Sequence, residues 1–348
     1  MQKETPVLWE DYFFQVQAFF LQKNKKSIEK QPYINRMTLK RGKGREFDMA
    51  RLNVVLLFGT VLVKPRIIKK PDGTYIYGMT QLNVLRGNRK VGNHTVGIKA
   101  DNPTVITREP EILEQWLEWE EGDVVEVKGT LATTPLQKKL PVCENCGKHD
   151  NIITGTLVYV NPISVTRWCR PRDKEEAQKL LVANREISNC CWGFGTLVRD
   201  PKRITPTSGL VVTQYQIAMN RKYRIRTDPP EIKADYPWVK AYGITAEDNW
   251  RRLHVGSEIY FDGYLQARNV NRHTKCQGCG SDIEWKDRAI EIVPYENAIE
   301  YIGEYYSDEE VEAHEAERLR QAREAVFGKK SGTVTEEELR AGIDPSAS

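Results

Sequence analysis

Short hydrophobic runs, either alternating with polar residues or continuous, are bounded by glycine, proline and polar turns along most of the chain. Val211–Ala218, Val239–Tyr242 and Glu258–Leu265 have the lengths and patterns of β-strands. Thr245–Leu253, between the last two, has a short helical pattern. Five short strands with one helix between the third and the fourth is the element order of an OB barrel. A β-sandwich would fit the strand count, but the single inserted helix favours the barrel.

The chain contains this unit twice. Three motifs recur in the same order and at a nearly constant offset: Asn53–Thr60 with Asn189–Thr196, Val124–Leu131 with Glu258–Leu265, and Cys143–Gly147 with Cys276–Gly280. Chance rarely preserves both the order and the spacing of three motifs, so the repeat indicates a duplication. The sequence therefore predicts an all-β core of two tandem OB-fold barrels with short flanking helices.

Segments outside the repeats complete the predicted domain division. Pro6–Lys25 has an apolar, aromatic face that predicts a helix packed on the barrels or, alternatively, a subunit contact. Arg172–Asn184 predicts a charged connecting helix, and Ser307–Glu310 has the capping-box pattern of a helix start. The expected division is a helical arm (1–50), a first barrel (51–166), a helical linker (167–187), a second barrel (188–303) and an acidic helix and tail (304–348).

Composition narrows the class of protein and of partner. The chain is 40% hydrophobic and 29% charged, which is typical of a globular protein. No run approaches the ~18–20 apolar residues of a membrane span, and the first ten residues lack a secretory pattern, so we expect a cytoplasmic protein. The net charge of +4 combines −6 over Glu304–Ser348 with +10 over the rest. A basic body of this kind suits a polyanionic partner.

Two basic segments occupy corresponding positions in the repeats, each with seven cations against one acid. The cations are Lys64, Arg66, Lys69, Lys70, Arg86, Arg89 and Lys90 in the first unit, and Arg199, Lys202, Arg203, Arg221, Lys222, Arg224 and Arg226 in the second. In an OB barrel these segments rim the binding face, where cations attract phosphates. A charge run is more often a solvated surface, but its recurrence in both copies favours nucleic-acid binding.

Aromatic residues lie among the second set of cations: Tyr215, Tyr223, Tyr236, Trp238 and Tyr242. Bases of any identity stack on such rings, so this mode of binding tolerates sequence changes. Tyr215 alternates with Val211 and Ile217, which predicts a core position. Tyr223 follows polar residues and precedes Arg224, which favours an exposed, stacking ring.

These motifs resemble those of the bacterial and phage single-stranded DNA-binding proteins. The resemblance covers Ile187–Glu296 and rests on motifs in the family's order and spacing: Gly195–Pro201, Thr207–Gly209, Ala218–Lys222, Gly243–Glu247 and Val255–Arg268. The first unit is similar to the family mainly in Gly59, Gly129 and its strand pattern. The resemblance implies sequence-independent binding and protection of single-stranded DNA in replication, recombination or repair, at the nucleoid or at replication sites.

The resemblance also implies site residues and partners. It assigns base stacking to Tyr223, Tyr236 and Tyr242, whereas the position of a fourth family aromatic is occupied by Val270. The first unit has no aromatic residue where the second has Tyr223 and Tyr236. The family's acidic, Pro-Phe-ending tip, which recruits replication proteins, has no counterpart in Asp344–Ser348. Replication or recombination proteins and further copies of the chain are the expected protein partners, with the tandem barrels replacing two subunits.

Both units carry a Cys-x-x-Cys-Gly hairpin between the last two strands, at Cys143, Cys146, Cys276 and Cys279. Such turns direct two thiolates towards a tetrahedral Zn²⁺, and a closed structural site needs four ligands. The hairpins either share one ion, which we favour, or each binds its own with help from His149 or His273. Four unliganded thiols are the remaining alternative. The other cysteines have the pattern of structural residues: Cys169, Cys190 and Cys191.

Motifs of catalysis are missing from the sequence. We find no deaminase pattern of His-x-Glu ahead of Pro-Cys-x-x-Cys, no P-loop, no nucleophile elbow and no acidic nuclease cluster. The chain is therefore expected not to be an enzyme. Two other functions fit an OB protein: an interaction subunit of a replication or primosome complex, and an RNA-binding protein.

Overall fold

The computed structural model of the chain describes residues 51–327, except 88, 92–93, 207–208, 227 and 229–231. The predicted arm (1–50) and the tail after residue 327 lie outside the described residues, as do the side chains of Arg89 and Lys90. Strands and helices are numbered in chain order below. No helix within the described ranges is long and apolar enough to cross a membrane.

The first barrel is built from long antiparallel strands and one helix. Its described elements are β1 (Asn53–Lys69), β2 (Tyr75–Arg86), β3 (Arg89–Val91), β4 (His94–Val96), β5 (Lys99–Asp101), β6 (Thr104–Thr107), α1 (Pro110–Trp116), β7 (Val124–Lys139) and β8 (Ile152–Cys169). β1 pairs with β2 and β7, β2 with β6, and β7 with β8, all antiparallel. A parallel pairing of β6 with β8 closes the barrel. A Cβ at Gly59 would lie 2.5 Å from the Asn83 carbonyl oxygen, so only glycine allows β1 and β2 to approach this closely.

A short connector leads to the second barrel, which repeats the first. The elements are α2 (Lys174–Ala183), α3 (Arg185–Ser188), β9 (Asn189–Leu197), β10 (Lys202–Ile204), β11 (Val212–Asn220), β12 (Ala234–Asp235), β13 (Trp238–Tyr242), α4 (Gly243–Arg252), β14 (Glu258–Lys275) and β15 (Asp282–Gly303). β9 pairs with β11 and β14, β11 with β13, and β14 with β15, while β13 and β15 run parallel. Both barrels thus have the strand order of an OB fold, which confirms the predicted fold class.

The barrels are joined through their first strands. β1 and β9 pair antiparallel from Asn53 opposite Gly193 to Leu57 opposite Asn189, so the two barrels share one sheet. Asn53 and Asn189 are equivalent and buried. The Asn53 amide donates to the Leu131 carbonyl and accepts from its N–H, both at 2.8 Å, and Asn189 does the same with Leu265 at 2.8 and 3.0 Å. The same side-chain contact therefore satisfies the backbone N–H and C=O groups of a buried leucine in each barrel.

The helices begin near the residues that the sequence indicated. The N-cap of α2 is Asp173, whose carboxylate accepts from the Glu176 N–H at 2.8 Å. The capping box is formed: the Ser307 N–H donates to the Glu310 carboxylate at 2.8 Å, and the Glu310 N–H donates to the Ser307 hydroxyl at 3.3 Å. It starts α5 (Asp308–Phe327), which lies against α4 through an ion pair of Arg251 with Glu315 at 2.6 Å.

Candidate nucleic-acid face and cysteine cluster

Strand alternation separates the core of the second barrel from its outer face. Tyr215, Ile217 and Val239 point inward and are fully buried, as predicted for Tyr215. The intervening residues of β11 and β13 point outward and pair across the strands, Gln214 with Lys240 and Gln216 with Trp238. These four residues, Tyr242 at the end of β13 and three residues of β14 and β15 form what we call the outer face of the second barrel: Gln214, Gln216, Trp238, Lys240, Tyr242, Gln266, Arg268 and Glu291.

A buried carboxylate organises the centre of this face. Glu291 is 4% exposed, and its oxygens accept from the Arg268 guanidinium at 2.9 and 3.1 Å. The Lys240 ammonium lies 3.9 Å from the same carboxylate, and the Gln214 amide lies 3.5 Å away. Burial lowers the pKa of Lys240 below its usual value, partly offset by Glu291. With two cations for one anion, the centre of the face keeps a net positive charge and fixed side-chain positions.

Rings and further cations surround this centre. The Arg199 guanidinium lies 5.8 Å from the Trp238 ring centroid, within cation–π range. The Tyr242 hydroxyl donates to the Gln266 amide oxygen at 2.9 Å, which fixes that ring at the edge of the face. Tyr223 and Tyr236 are 40% and 43% exposed, so both rings are accessible to a partner. The arrangement offers flat apolar surfaces next to positive charge.

The other candidate cations of the second barrel have different surroundings. Lys202, Lys222 and Arg224 are exposed. Arg203 is engaged with its own barrel, through an ion pair with Glu247 at 2.6 Å and the Trp250 ring centroid at 5.2 Å. Arg226 is exposed but lies 3.4 Å from the Glu109 carboxylate of the first barrel.

Two of the predicted DNA-contact cations are inside the molecule. Arg221 is 6% exposed, makes two hydrogen bonds to Asp235 at 2.6 and 2.7 Å, and a third to Asp228 at 2.9 Å. Its equivalent Arg86 is 8% exposed and pairs with Asp101 at 2.8 Å. Neither guanidinium is accessible to a phosphate in this structure, so both leave the set of candidate contacts.

The two buried pairs belong to the junction between the barrels. Asp235 accepts from the Thr133 N–H of the first barrel at 2.7 Å, and Asp101 accepts from the Ala267 N–H of the second at 3.0 Å. Each Arg–Asp pair therefore supports a strand of the opposite barrel. The equal numbers of cations in the two units arise in part from this symmetric contact.

The cations of the first barrel are spread over several environments. Lys64 pairs with Glu120 at 2.7 Å on the surface, and the Lys69 ammonium lies 4.5 Å from the Tyr75 ring centroid. Lys70 is exposed and Arg66 is half-buried. Lys64 and Lys69 are thus both engaged by groups of their own barrel.

Sequence reasoning missed Gln214, Gln216, Lys240, Gln266, Arg268 and Glu291. Lys240 stands between Trp238 and Tyr242, two residues from each, so strand alternation would have placed all three on one face. Arg268 and Glu291 carry no such signal, because their ion pair depends on the pairing of β14 with β15.

The four hairpin cysteines meet at one point. Their sulfur atoms all lie within 4.8 Å of one another, and neither His149 nor His273 belongs to this cluster. The closest contacts cross between the barrels, Cys143 to Cys279 at 3.5 Å and Cys146 to Cys276 at 3.7 Å. Tetrahedral Zn²⁺ with Zn–S bonds of about 2.3 Å requires sulfurs about 3.8 Å apart. The spacing therefore fits a single metal ion bound by both hairpins.

Equivalent turns build the two halves of this cluster. The Gly147 N–H donates to the Cys143 carbonyl at 2.8 Å, and the Gly280 N–H donates to the Cys276 carbonyl at 3.0 Å. Both glycines have a positive φ, 69° and 74°, which the turns require. The Ser281 hydroxyl, 3.3 Å from the Cys143 sulfur, is the main cause that lowers the pKa of Cys143 to about 6. This favours the thiolate at Cys143, whereas hydrogen bonds to the other thiols raise the pKa of Cys146.

The remaining cysteines lie elsewhere. Cys190 and Cys191 are buried at the start of β9, and burial raises the pKa of Cys190 to about 11. Cys169 is half-buried at the end of β8. These positions agree with the structural role expected for all three residues.

Two crystal structures of the single-stranded DNA binding protein from Thermus aquaticus are similar to the chain. A deletion mutant has a TM-score of 0.45 at 19% identity, covering 75% of this chain and 100% of that one. The wild-type protein has a TM-score of 0.43 at 17% identity, covering 74% and 97%. At these identities and TM-scores, the similarity does not show that the chain shares the function of those proteins.

No curated protein matches the chain. Residues 191–281 match the sequence model of the Single-strand binding protein family, and this range contains most of β9–β14 with α4 and the second cysteine hairpin. Over most of its second barrel, the chain is therefore similar to the single-strand binding proteins.

Proposed function

We propose that the chain binds single-stranded DNA without sequence preference through the outer face of the second barrel. The observation that carries the proposal is the clustering of Trp238 and Tyr242 with Arg199, Lys240 and Arg268, in a part of the chain that largely matches the family model. Cations attract the phosphates, and the rings offer stacking surfaces to any base. The chain would coat and protect single strands in replication, recombination or repair.

We also propose that the four-cysteine cluster holds one structural Zn²⁺. Four thiolates close a tetrahedral shell and leave no position for a substrate, so the ion would support the fold. Leu140, Ile153, Ile283 and Trp285 pack against Cys143 and Cys276 and form an apolar base for the site. The proposed ion would connect the tips of two long hairpins, one from each barrel.

Tight binding to oligo-dT, with much weaker binding to duplex DNA, is expected because rings can stack only on unpaired bases. The affinity should fall with salt, with a slope of about −0.7 for each phosphate neutralised on a single strand. Fluorescence titration of labelled oligo-dT, oligo-dA, RNA and duplex at several salt concentrations measures both the preference for single strands and the salt dependence of the affinity. Equal competition by duplex would contradict the coating function, and a preference for RNA would favour the RNA-binding alternative.

Alanine at Tyr223 or Tyr236 should weaken oligo-dT binding by about 1–3 kcal/mol for each lost stack. Both rings are about two-fifths exposed, so the variants should fold normally. Tyr305→Ala is the matched control, because Tyr305 is 39% exposed but lies beyond β15. Unchanged affinity in both Tyr223→Ala and Tyr236→Ala, with normal circular dichroism, would remove these two rings from the site.

A further inference from the structure

The two barrels differ at one pair of equivalent surfaces. Cross-strand pairs in the second barrel join Gln214 to Lys240 and Gln266 to Glu291, at the centre of its outer face. At the equivalent positions of the first barrel, Met79 pairs with Ile106 and Ala132 pairs with Tyr159. The equivalence follows from the parallel pairings, since Val105 faces Val160 where Val239 faces Ile292. A polar, charged surface in one barrel is therefore apolar in the other.

This apolar surface is covered by the second barrel. Ile225 is 3% exposed and packs into a cluster of first-barrel residues: Tyr77, Met79, Ile106, Ala132, Leu136, Leu157 and Tyr159. Ile225 belongs to what we call the strap, the described residues that connect β11 to β13 (221–226, 228 and 232–237). The strap belongs to the second barrel and lies on the first.

Polar contacts fix the strap at two points after Ile225. At the first, the Arg108 guanidinium of the first barrel lies 3.2 Å from the Asp228 carboxylate and 3.4 Å from the Arg226 carbonyl. At the second, the Tyr236 N–H donates to the Thr133 hydroxyl at 3.0 Å. Arg108 and Asp228 are about nine-tenths buried, so solvent does not weaken their contact.

The strap also carries groups that the proposed function uses. Tyr223 and Tyr236 have accessible rings, and Lys222 and Arg224 are exposed cations. Ile225 points the opposite way into the first barrel, between Arg224 and Arg226 in sequence. One face of the strap is therefore fixed while the other faces solvent.

We propose that the first barrel acts as the dock that holds the strap in place for DNA, and that its own matching surface does not bind DNA. The inference rests on the proposed function of the second barrel. A strap that is already fixed loses less conformational freedom on binding, so its rings and cations contribute more to affinity. Arg108 and Ile225 are then positioning residues that act without touching the nucleic acid.

Arg108→Ala and Ile225→Asp test the dock from its two sides, in the full-length chain. Each is expected to weaken oligo-dT binding about tenfold or more. Without DNA, each should raise hydrogen exchange in peptides that cover residues 221–236. Arg167→Ala is the matched control, since Arg167 pairs with Glu118 within the first barrel, and its affinity should stay within about twofold of wild type. Arg108→Lys should recover part of the loss.

A double-mutant cycle separates positioning from general destabilisation. Arg108→Ala and Tyr223→Ala should be non-additive, because releasing the strap already removes the benefit of its ring. Arg108→Ala and Arg268→Ala should be additive, since Arg268 lies on β14 and not on the strap. A structural defect of the whole chain would give the same coupling to both.

The possible failures can be told apart. Wild-type affinity in both dock variants, in a chain that binds oligo-dT, would overturn the dock and leave the proposed function intact. A larger loss from Lys64→Ala than from Arg108→Ala would show that the first barrel contacts DNA itself, which also overturns the dock. No binding of oligo-dT by the wild-type chain would overturn the proposed function and the inference with it.

Discussion

Cys143→Ser and Cys276→Ser should each remove the same single Zn²⁺ ion, although the two cysteines belong to different repeats. The reason is that the four sulfurs form one cluster, and a structural tetrahedral site that loses one thiolate holds its ion much more weakly. Elemental analysis should give about one Zn²⁺ per wild-type chain and none in either variant. Cys169→Ser should keep the ion, because Cys169 lies outside the cluster.

Loss of the ion should also lower the melting temperature, since metal-binding free energy is partly folding free energy. The main apolar core takes residues from both barrels and does not include the hairpin cysteines, so we expect the chain without metal to stay folded. Calorimetry with and without a chelator measures the shift. Two ions per chain, with Cys143→Ser losing only one, would establish separate sites, and a chain without zinc would contradict both arrangements.

Arg221→Ala should be among the most destabilising single substitutions in the chain, costing about 3–5 kcal/mol of unfolding free energy. It would leave Asp235 buried without its guanidinium partner and Asp228 with Arg108 alone. Denaturant unfolding measures the effect. Arg224→Ala is the control, because Arg224 is an exposed cation three residues away, and its unfolding free energy should change by less than about 0.5 kcal/mol.

An opposite result would restore Arg221 to the DNA site. If Arg221→Ala keeps the unfolding free energy of the wild type and instead weakens oligo-dT binding with a smaller salt slope, the residue contacts phosphate. The buried geometry of this side chain, held by three hydrogen bonds, is the reason that we expect the first result.

Much of the fold could be predicted from the sequence, because each barrel motif occurs in two copies and either copy supports the interpretation of the other. Strand alternation and a nearly constant offset between the repeated motifs were sufficient to predict both barrels. The exact limits of elements were less accessible. For example, α4 starts at Gly243 and not at Thr245, because Gly243 follows β13 directly and adopts a φ of 60° that its lack of a side chain permits.

The site was less readable, because a list of cations does not tell a surface charge from a buried ion pair. Arg86 and Arg221 look like their exposed neighbours, and only the fold brings Asp101 and Asp235 to them. A signal did exist. These two acids themselves occupy matching positions in the two repeats, so a search of the repeats for acids as well as cations would have found both pairs.

The cysteine cluster shows a similar limit. Each hairpin could be recognised from its spacing, but whether two hairpins share an ion depends on the distance between their tips. That distance depends on how the two barrels pack together, through the pairing of β1 with β9 and through hairpin contacts such as Asn151 with Gln277, about which the Cys-x-x-Cys spacing contains no information.

The pairing of β1 with β9 also has a consequence for synthesis on the ribosome. Asn53–Leu57 are translated one whole repeat earlier than Asn189–Gly193, the strand segment that they pair with. At about 5–20 residues per second, this delay is roughly 7 to 27 s. Once β8 has been made, a first barrel that has folded presents an unpaired strand edge until Asn189–Gly193 emerge, and the same edge of a neighbouring nascent chain can bind to it in that interval. Slow translation between the repeats would lengthen this exposure, and with it the chance of joining two chains on one polysome.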